Sequence, residues 1–290
     1  MEATDLPGAR GALGTELVAA IELARVAGAL VMKFRGGDLG VELKPGDEPV
    51  TLADKGASEL IVESLHARFP NDAVISEELA LVEGELARSL PGRMWLVDPI
   101  DGTKDFIRGS DGFAVMIGIA IAGVPVLGVV HQPASGASGR TFFATTDGGA
   151  HVIVDGAVQS LSVSSVAAAA DARLVASASH RSVDIDRVKQ TLGIDNEENV
   201  GSVGVKLCLI AMGARDLYVN PAAKTKIWDT CAPEAILGQA GGRLTDLFGT
   251  AVDYAELRQT RGLVASNGRV HDEVTGKLGP MFQALRKTRD

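Results

Sequence analysis

A long uncharged run constrains the fold of this chain more than any other feature. Residues 112–130 read GFAVMIGIAIAGVPVLGVV, which is long enough to cross a bilayer as a helix. Valine and isoleucine dominate the run, and Ala122-Gly123-Val124-Pro125 interrupts it near the middle. No basic cluster flanks it, as would be usual for a membrane span. We therefore predict two buried strands joined by a tight turn.

The rest of the chain alternates between helical and extended patterns. Apolar spacing predicts a helix over residues 14–34. Strands are predicted at 73–75, 94–97, 174–177, 217–220 and 262–265, and later helices near 184–192, 203–212, 230–240 and 270–286. Such alternation predicts sheets covered by helices. A Ser/Ala-rich run over 160–170 is the candidate junction, so we predict an N-terminal α+β subdomain at 1–165 and a C-terminal α/β subdomain at 166–290.

Composition is that of an ordinary folded protein and limits its partners. Hydrophobic residues make up 46% of the chain and charged residues 22%. The formal net charge of −9 argues against nucleic-acid binding, which needs a basic surface. Cys208 and Cys231 give no disulfide framework and no zinc spacing, and the N-terminus lacks an export signal. We expect a cytoplasmic protein with no nucleic-acid or membrane partner; the sequence does not indicate its oligomeric state.

Acidic side chains occur where predicted strands end or helices begin. Glu77 follows one strand, Asp98 and Asp101 lie within WLVDPIDGTKDFI, and Asp229 lies at the start of a later helix. In layered α/β folds such positions face the crevice where ligands bind. Clustered carboxylates repel one another and need a cation. Ligation by oxygen atoms alone suits Mg²⁺, so we predict a magnesium site.

The turn after Asp98 also suits a phosphate group. Pro99 has no N–H and is expected to end the strand, after which Asp101 can cap a short helix. The amides of Gly102 and Thr103 would then lie at a helix N-terminus, where backbone N–H groups bind phosphate oxygens. Simple helix capping is the alternative for each acid considered alone. The joint pattern favours a metal and phosphate site.

Four short motifs follow one another along residues 49–266. They are PVTLADKGASELI, ISEE, DPIDGT and IWDTCAPEAILGQAGG. Together they resemble the inositol monophosphatase-like, lithium-sensitive phosphatases, with Gln239-Ala240 where that family usually has Glu-Ala. The resemblance implies an α/β fold layered as an αβαβα sandwich of the inositol monophosphatase and fructose-1,6-bisphosphatase type. It also implies phosphomonoester hydrolysis without a covalent enzyme intermediate.

The resemblance assigns metal ligands by motif position and implies two or three Mg²⁺ ions per site. Glu77, Asp98 and the carbonyl oxygen of Ile100 would hold the first ion. Asp98, Asp101 and Asp229 would hold the second. Lithium sensitivity is expected on the same basis.

The resemblance also implies a catalytic pair. The hydroxyl of Thr103 would bond the attacking water, and the carboxylate of Asp54 would accept the proton. Glu78 would support the metal ligands from behind. A helix-entry cap is the simpler interpretation of Asp54, and the two roles are compatible.

The residues after the DPIDGT signature favour one branch of the family. Inositol monophosphatases tend to continue G-T-[TS]-N-F, whereas 3′(2′),5′-bisphosphate nucleotidases tend to continue G-T-K-E-[FY]; this chain reads GTKDF. Inositol monophosphatases usually place a Glu before the Trp-Asp pair, where this chain has Lys224 and Lys226. We therefore expect removal of the 3′-phosphate of 3′-phosphoadenosine 5′-phosphate, leaving AMP, and the sulfated analogue could serve too.

A second phosphate on the substrate needs its own binding groups. His180, Arg181 and Lys206 fall where the nucleotidase branch contacts its nucleotide, so we predict that they bind substrate together with Gly102 and Thr103. Lys206 as a solvated helix residue and His180 as a loop residue are the alternatives. The alternative functions are an inositol monophosphatase, an inositol 1,4-bisphosphate 1-phosphatase, or a non-catalytic phosphate or nucleotide sensor. The mark expected of a sensor is a lost ligand or catalytic residue, and none is lost in this sequence.

Overall fold

We describe a computed structural model at residues 5–44, 46–79, 92–179, 181–222 and 224–287. Seven α-helices and sixteen β-strands form within these residues. The helices are α1 (Gly14–Phe34), α2 (Leu52–Arg68), α3 (Thr103–Ile107), α4 (Asp184–Leu192), α5 (Val203–Ala211), α6 (Ile227–Gln239) and α7 (His271–Lys287), with a 3₁₀ turn at Ala169–Asp171.

The strands form two large sheets and two small pairs. They are β1 (Glu42–Lys44), β2 (Glu48–Val50), β3 (Ala73–Ser76), β4 (Arg93–Asp101), β5 (Ala114–Ile121), β6 (Val124–Gln132), β7 (Arg140–Thr145), β8 (Gly149–Val154), β9 (Ala157–Ser160), β10 (Leu174–Ser177), β11 (Glu197–Val200), β12 (Leu217–Asn220), β13 (Thr225–Lys226), β14 (Arg243–Thr245), β15 (Arg258–Gln259) and β16 (Leu263–Ser266). The pairs are β1–β2 and β13–β15, both antiparallel.

The larger sheet has seven strands in sequence order, β3 to β9. β3 is parallel to β4, and the other neighbours are antiparallel. The hairpin predicted in residues 112–130 is β5–β6, whose turn places Ala122 and Gly123 at φ values of 48° and 76°. None of the helices in the described ranges is long and apolar enough to span a membrane.

The smaller sheet is mixed and has the order β11-β10-β12-β16-β14. β10 is parallel to both β11 and β12, whereas β16 is antiparallel to β12 and β14. The larger sheet ends at Ser160 and the smaller one begins at Leu174. The division into subdomains at residue 165 stays a prediction, because α6 from the second half packs on strands of the larger sheet.

Three apolar clusters define five layers. The first joins α1 and α2 to one face of the larger sheet, through residues such as Leu17, Ile61 and Trp95. The second places α5 and α6 between the two sheets. The third joins α4 and α7 to the outer face of the smaller sheet, through residues such as Val188 and Val274. This is the αβαβα sandwich that the resemblance implied.

Two glycines let α6 lie directly on the larger sheet. A Cβ atom at Gly118 would come 2.8 Å from the backbone nitrogen of Ala232, and one at Gly128 would overlap the carbonyl of Ala232. The helix therefore touches the backbones of β5 and β6. Because α6 begins with the segment that carries Asp229, this contact also places that acid.

Candidate active site

A cleft of about 290 Å³ brings most of the predicted site residues together. Groups from both halves of the chain line it. Among them are Glu77, Asp98, Ile100, Asp101, Gly102, Thr103, Lys206 and Asp229. Asp54 contacts this set through Thr103.

The end of β4 differs from the expected turn. The strand continues through Pro99 to Asp101, with an irregularity in its pairing between Asp98 and Asp101. The prediction that Asp101 caps the short helix was wrong, because Gly102, at φ 96°, is the residue before α3. The Asp101 carboxylate instead accepts hydrogen bonds from Ser202 Oγ (2.5 Å) and the Gly204 N–H (2.7 Å). It therefore binds the first turn of α5.

Asp54 and Asp229 occupy the same position in their helices. Each is the third residue of a helix and accepts a hydrogen bond from the backbone N–H of the residue before that helix. Asp54 Oδ2 accepts from the Thr51 N–H (2.8 Å), and Asp229 Oδ2 accepts from the Lys226 N–H (2.8 Å). Thr51 and Lys226 are the N-cap residues, three positions before the acids. The interpretation of Asp54 and Asp229 as helix-entry caps is nevertheless confirmed, because each caps the N-cap backbone N–H from the third helical position. One oxygen of each carboxylate is fixed by its helix.

The Thr103 hydroxyl lies between two acceptors. Its oxygen is 3.1 Å from Asp54 Oδ1 and 3.0 Å from the carbonyl oxygen of Ile100. A hydroxyl has one proton and two lone pairs, so Thr103 can donate to one acceptor and still accept from a water molecule. Burial raises the pKa of Asp54, against the hydrogen bonds from Thr51 that lower it. A raised pKa makes this carboxylate a better proton acceptor.

Burial and, after it, repulsion between neighbouring acids raise the carboxyl pKa values in the cleft. Burial is the largest cause that holds the pKa of Asp98 well above its ordinary value, and the charges of Glu77, Asp101 and Asp229 add to it. Burial also holds the pKa of Asp229 well above its ordinary value, with Asp101 and Glu77 contributing. These acids are therefore close enough to repel one another. A bound cation would relieve that repulsion.

The donor set fits Mg²⁺ by chemistry. Its members offer carboxylate oxygens and the Ile100 carbonyl, whose second lone pair is not needed by Thr103. Within the described ranges, no group of three or more His, Cys, Asp or Glu side chains is already arranged to hold a metal ion. Protein donors hold these carboxylates instead: Ser202 donates to Asp101, and the Lys226 N–H donates to Asp229.

Sequence reasoning missed two residues that hold the acids. Lys44 Nζ lies 3.1 Å from Glu77 Oε1 and 2.5 Å from Glu78 Oε1. Nothing in the local sequence indicates this contact, because the acids lie more than thirty residues away. Ser202 donates to Asp101 and accepts from the Val205 N–H (3.0 Å). A serine directly before an apolar helical run is a capping signal that could have identified it.

The three predicted nucleotide contacts have different outcomes. Lys206 lines the cleft with 2% of its surface exposed, so the solvated-helix alternative was wrong. Arg181 is held in ion pairs with Glu197 and Asp186 and is not among the residues that line the cleft. His180 lies outside the described residues.

The Lys206 ammonium contacts a backbone carbonyl and an aromatic ring. It donates to the Val200 carbonyl (3.2 Å) and lies 5.3 Å from the centre of the Tyr218 ring. Burial lowers the pKa of Lys206 to about 8, against the charges of Asp101 and Asp105. An anion in the cleft would favour its charged form.

Comparisons with known proteins agree with this architecture. The model of the inositol monophosphatase family matches residues 14–280. A histidinol-phosphatase of Mycobacterium tuberculosis is 36% identical over 268 residues, which cover 91% of this chain and 97% of that protein. The 3′(2′),5′-bisphosphate nucleotidase CysQ of Escherichia coli is 34% identical over 238 residues, or 80% and 91% of the two chains. The Thermotoga maritima IMPase superposes with a TM-score of 0.78 at 27% identity, covering 93% and 99%.

A layered α/β phosphatase is the class that this fold and these matches define. The chain belongs to the inositol monophosphatase family.

Proposed function

We propose that this chain is a Mg²⁺-dependent phosphomonoesterase that hydrolyses the 3′-phosphate of 3′-phosphoadenosine 5′-phosphate to give AMP and phosphate. The sulfated analogue is a second candidate substrate of the same site. The observation that carries the proposal is the buried Lys206 in the wall of the acid-lined cleft. The nucleotidase named among the relatives supports it.

Lys206 suits a substrate that has a second anionic group. An ammonium has three N–H donors, and one of these bonds the Val200 carbonyl. The others can bind a phosphate away from the reacting one. Lys224 and Lys226 also line the cleft. An ester with a single phosphate has no further negative charge to pair with Lys206, whereas Lys226 already pairs with Glu48.

Histidinol phosphate is a second candidate, because a histidinol-phosphatase shares 36% identity with this chain. That substrate has an amino group, which is cationic at neutral pH. Placed near Lys206, it would be repelled. The charge of Lys206 therefore favours the bisphosphate nucleotide over the amino alcohol ester.

Each residue of the acid side has a defined task in the proposed reaction. Glu77, Asp98, the Ile100 carbonyl, Asp101 and Asp229 would hold the Mg²⁺ ions. When bound, these ions supply charge neutralisation at the phosphate and a lower pKa for the attacking water. Thr103 orients that water by accepting its hydrogen bond, and Asp54 takes the proton through the Oδ1 oxygen that faces Thr103.

Phosphate release in Mg²⁺ tests the substrate. The panel is 3′-phosphoadenosine 5′-phosphate, its sulfated analogue, histidinol phosphate, inositol 1-phosphate and inositol 1,4-bisphosphate at equal concentrations. We expect the highest kcat/KM with a nucleotide. A higher value with histidinol phosphate or an inositol phosphate would overturn the substrate assignment. If no compound released phosphate, the proposal that this chain is a phosphomonoesterase would be wrong.

The Lys206→Met variant tests the observation that carries the proposal. Loss of a charged hydrogen bond of about 1.5–3 kcal/mol corresponds to about a tenfold or larger rise in KM for the nucleotide. The KM for inositol 1-phosphate should change much less. Lys55→Met is the matched control, since Lys55 is an exposed lysine that pairs with Glu42. An equal effect of Lys206→Met on both substrates would contradict the proposed role.

A further inference from the structure

Asp105 in the signature helix α3 is a buried acid that the proposed reaction does not use. Only 4% of its surface is exposed. Its Oδ2 accepts a hydrogen bond from Ser179 Oγ at 2.7 Å, and its Oδ1 accepts one from Ser110 Oγ at 3.2 Å. The acid therefore links α3 to the segment that follows β10. This is the position where the nucleotidase branch tends to have Glu.

Two glycines allow the backbone to pack closely against the Asp105 carboxylate. A Cβ atom at Gly201 would lie 2.6 Å from the Asp105 carboxyl carbon and would overlap the carbonyl of Gly112. A Cβ atom at Gly112 would in turn lie 3.0 Å from the backbone nitrogen of Gly201. The segments before β5 and after β11 thus approach each other at van der Waals distance around the acid. Little room remains for the carboxylate to turn away from Ser179.

Ser179 carries the effect of Asp105 to the cleft, because it is one of the lining residues. Its hydroxyl has a single proton, and that proton is directed to Asp105. The Ser179 oxygen can therefore only accept a hydrogen bond from a molecule in the cleft. A phosphate oxygen, which also only accepts, is a poor partner for it, whereas Lys206, another lining residue, has donors to offer.

We propose that Asp105 is a positioning residue that turns Ser179 into a hydrogen-bond acceptor for a donor group on the leaving part of the substrate. The donor is a sugar hydroxyl or an amino group of the base. This inference rests on the proposed function. Ser179 would then bind a hydrogen-bond donor of the substrate, and Lys206 would bind an anionic group.

The experiment measures KM and kcat of the Mg²⁺-loaded enzyme for the best substrate of the panel. The variants are Asp105→Ala, Ser179→Ala, the double variant, and Ser110→Ala as the matched control. Ser110 bonds the other oxygen of the same carboxylate. We expect Asp105→Ala and Ser179→Ala each to raise KM about three- to tenfold, more than they lower kcat, because one hydrogen bond is lost. The double variant should equal Ser179→Ala, and Ser110→Ala should equal the wild type.

Two nucleotide analogues identify the donor. One is the 2′-deoxy form of the bisphosphate nucleotide, and the other has inosine in place of adenosine. The wild type should discriminate against one of them about three- to tenfold, and Ser179→Ala should lose that discrimination.

Several results would overturn the inference. They are additive effects of Asp105→Ala and Ser179→Ala, an unchanged KM in Ser179→Ala, or a Ser110→Ala effect as large as that of Asp105→Ala. If Asp105→Ala does not fold, Ser179→Ala alone decides, by KM and by the analogues. Preference for another panel substrate overturns the proposed function only, since the comparison of variants is then made with that substrate.

Discussion

Asp98 illustrates how a single side chain can serve chemistry at the expense of stability. It is buried among Glu77, Asp101 and Asp229, and both burial and repulsion raise its pKa. A neutral side chain of the same shape would fit this environment better. The proposed role as a ligand of Mg²⁺ would explain why a carboxylate stands at this position.

The Asp98→Asn variant should therefore change activity and stability in opposite directions. We expect phosphate release to fall by more than about a hundredfold, since even supporting residues of metal sites contribute 10- to 100-fold. In EDTA, the melting temperature should rise, because the buried charge is removed. Asp272→Asn is the control, because Asp272 is an exposed acid paired with Arg243, and neither quantity should move. Near-normal turnover of folded Asp98→Asn protein would contradict the metal assignment.

The sequence predicted which acids share the cleft but not what holds them. Glu77, Asp98 and Asp229 were found because each lies in a short motif at the end of a strand or the start of a helix. The contacts of Lys44 and Ser202 with the acids were not predicted, because they join distant parts of the chain. Local patterns carry no information about such pairs.

At the scale of elements, the contact of α6 with β5 and β6 determines where Asp229 lies. The helix sits against the backbone at Gly118 and Gly128, so any side chain there would push it outward. The hairpin itself could be predicted from its β-branched residues and from the interruption at residues 122–125. The need for glycine at these two positions could not, because it depends on which helix covers the sheet.

Gly128→Ala should lower both stability and activity. The added methyl group overlaps the Ala232 carbonyl, and overpacking of this kind typically costs about 1–3 kcal/mol. Displacement of α6 would also move Asp229, so kcat should fall in the protein that remains folded. Thermal melts and phosphate release would measure the two effects.

Gly238→Ala is the matched control on the same helix. A Cβ atom at Gly238 meets no heavy atom within 4 Å. Replacing a helical glycine by alanine at such a position should stabilise the protein by roughly 0.5–1 kcal/mol. If Gly128→Ala were as stable and active as Gly238→Ala, the close contact of α6 with the sheet would be wrong.

At the scale of the whole molecule, the acids of the cleft come from elements in both halves of the chain. Glu77 and Asp98 follow or belong to strands of the larger sheet, whereas Asp229 belongs to a helix between the sheets. Alternation of helices and strands predicted covered sheets, but the five-layer order was implied only by family resemblance. Strand order depends on long-range pairing that spacing does not encode.

Removal of Mg²⁺ should destabilise the protein more at high pH than at low pH. The raised pKa values of Asp98 and Asp229 mean that, without metal, the folded chain keeps protons that the unfolded chain releases, so stability falls as pH rises above the ordinary carboxyl range. Mg²⁺ binds the ionised carboxylates and offsets this loss. At about 100 times its Kd it adds about 2.7 kcal/mol, which for a chain of 290 residues is roughly 4 °C in Tm.

Melting curves at pH 5 and pH 8, in Mg²⁺ and in EDTA, measure this effect. The rise in Tm caused by Mg²⁺ should be larger at pH 8, and Asp98→Asn should reduce it. A rise at pH 5 as large as that at pH 8 would show that the buried acids do not bind the ion.

The hydrogen bonds from Ser202 and Gly204 to Asp101 have a consequence for cooperativity. The same carboxylate belongs to the acid side of the cleft and to the first turn of α5, the helix that carries Lys206. If Asp101 binds the ion and Lys206 the substrate, as proposed, ion occupancy and substrate occupancy would be linked through this side chain. By thermodynamic reciprocity, whatever factor the ion contributes to substrate affinity, the substrate must return to ion affinity.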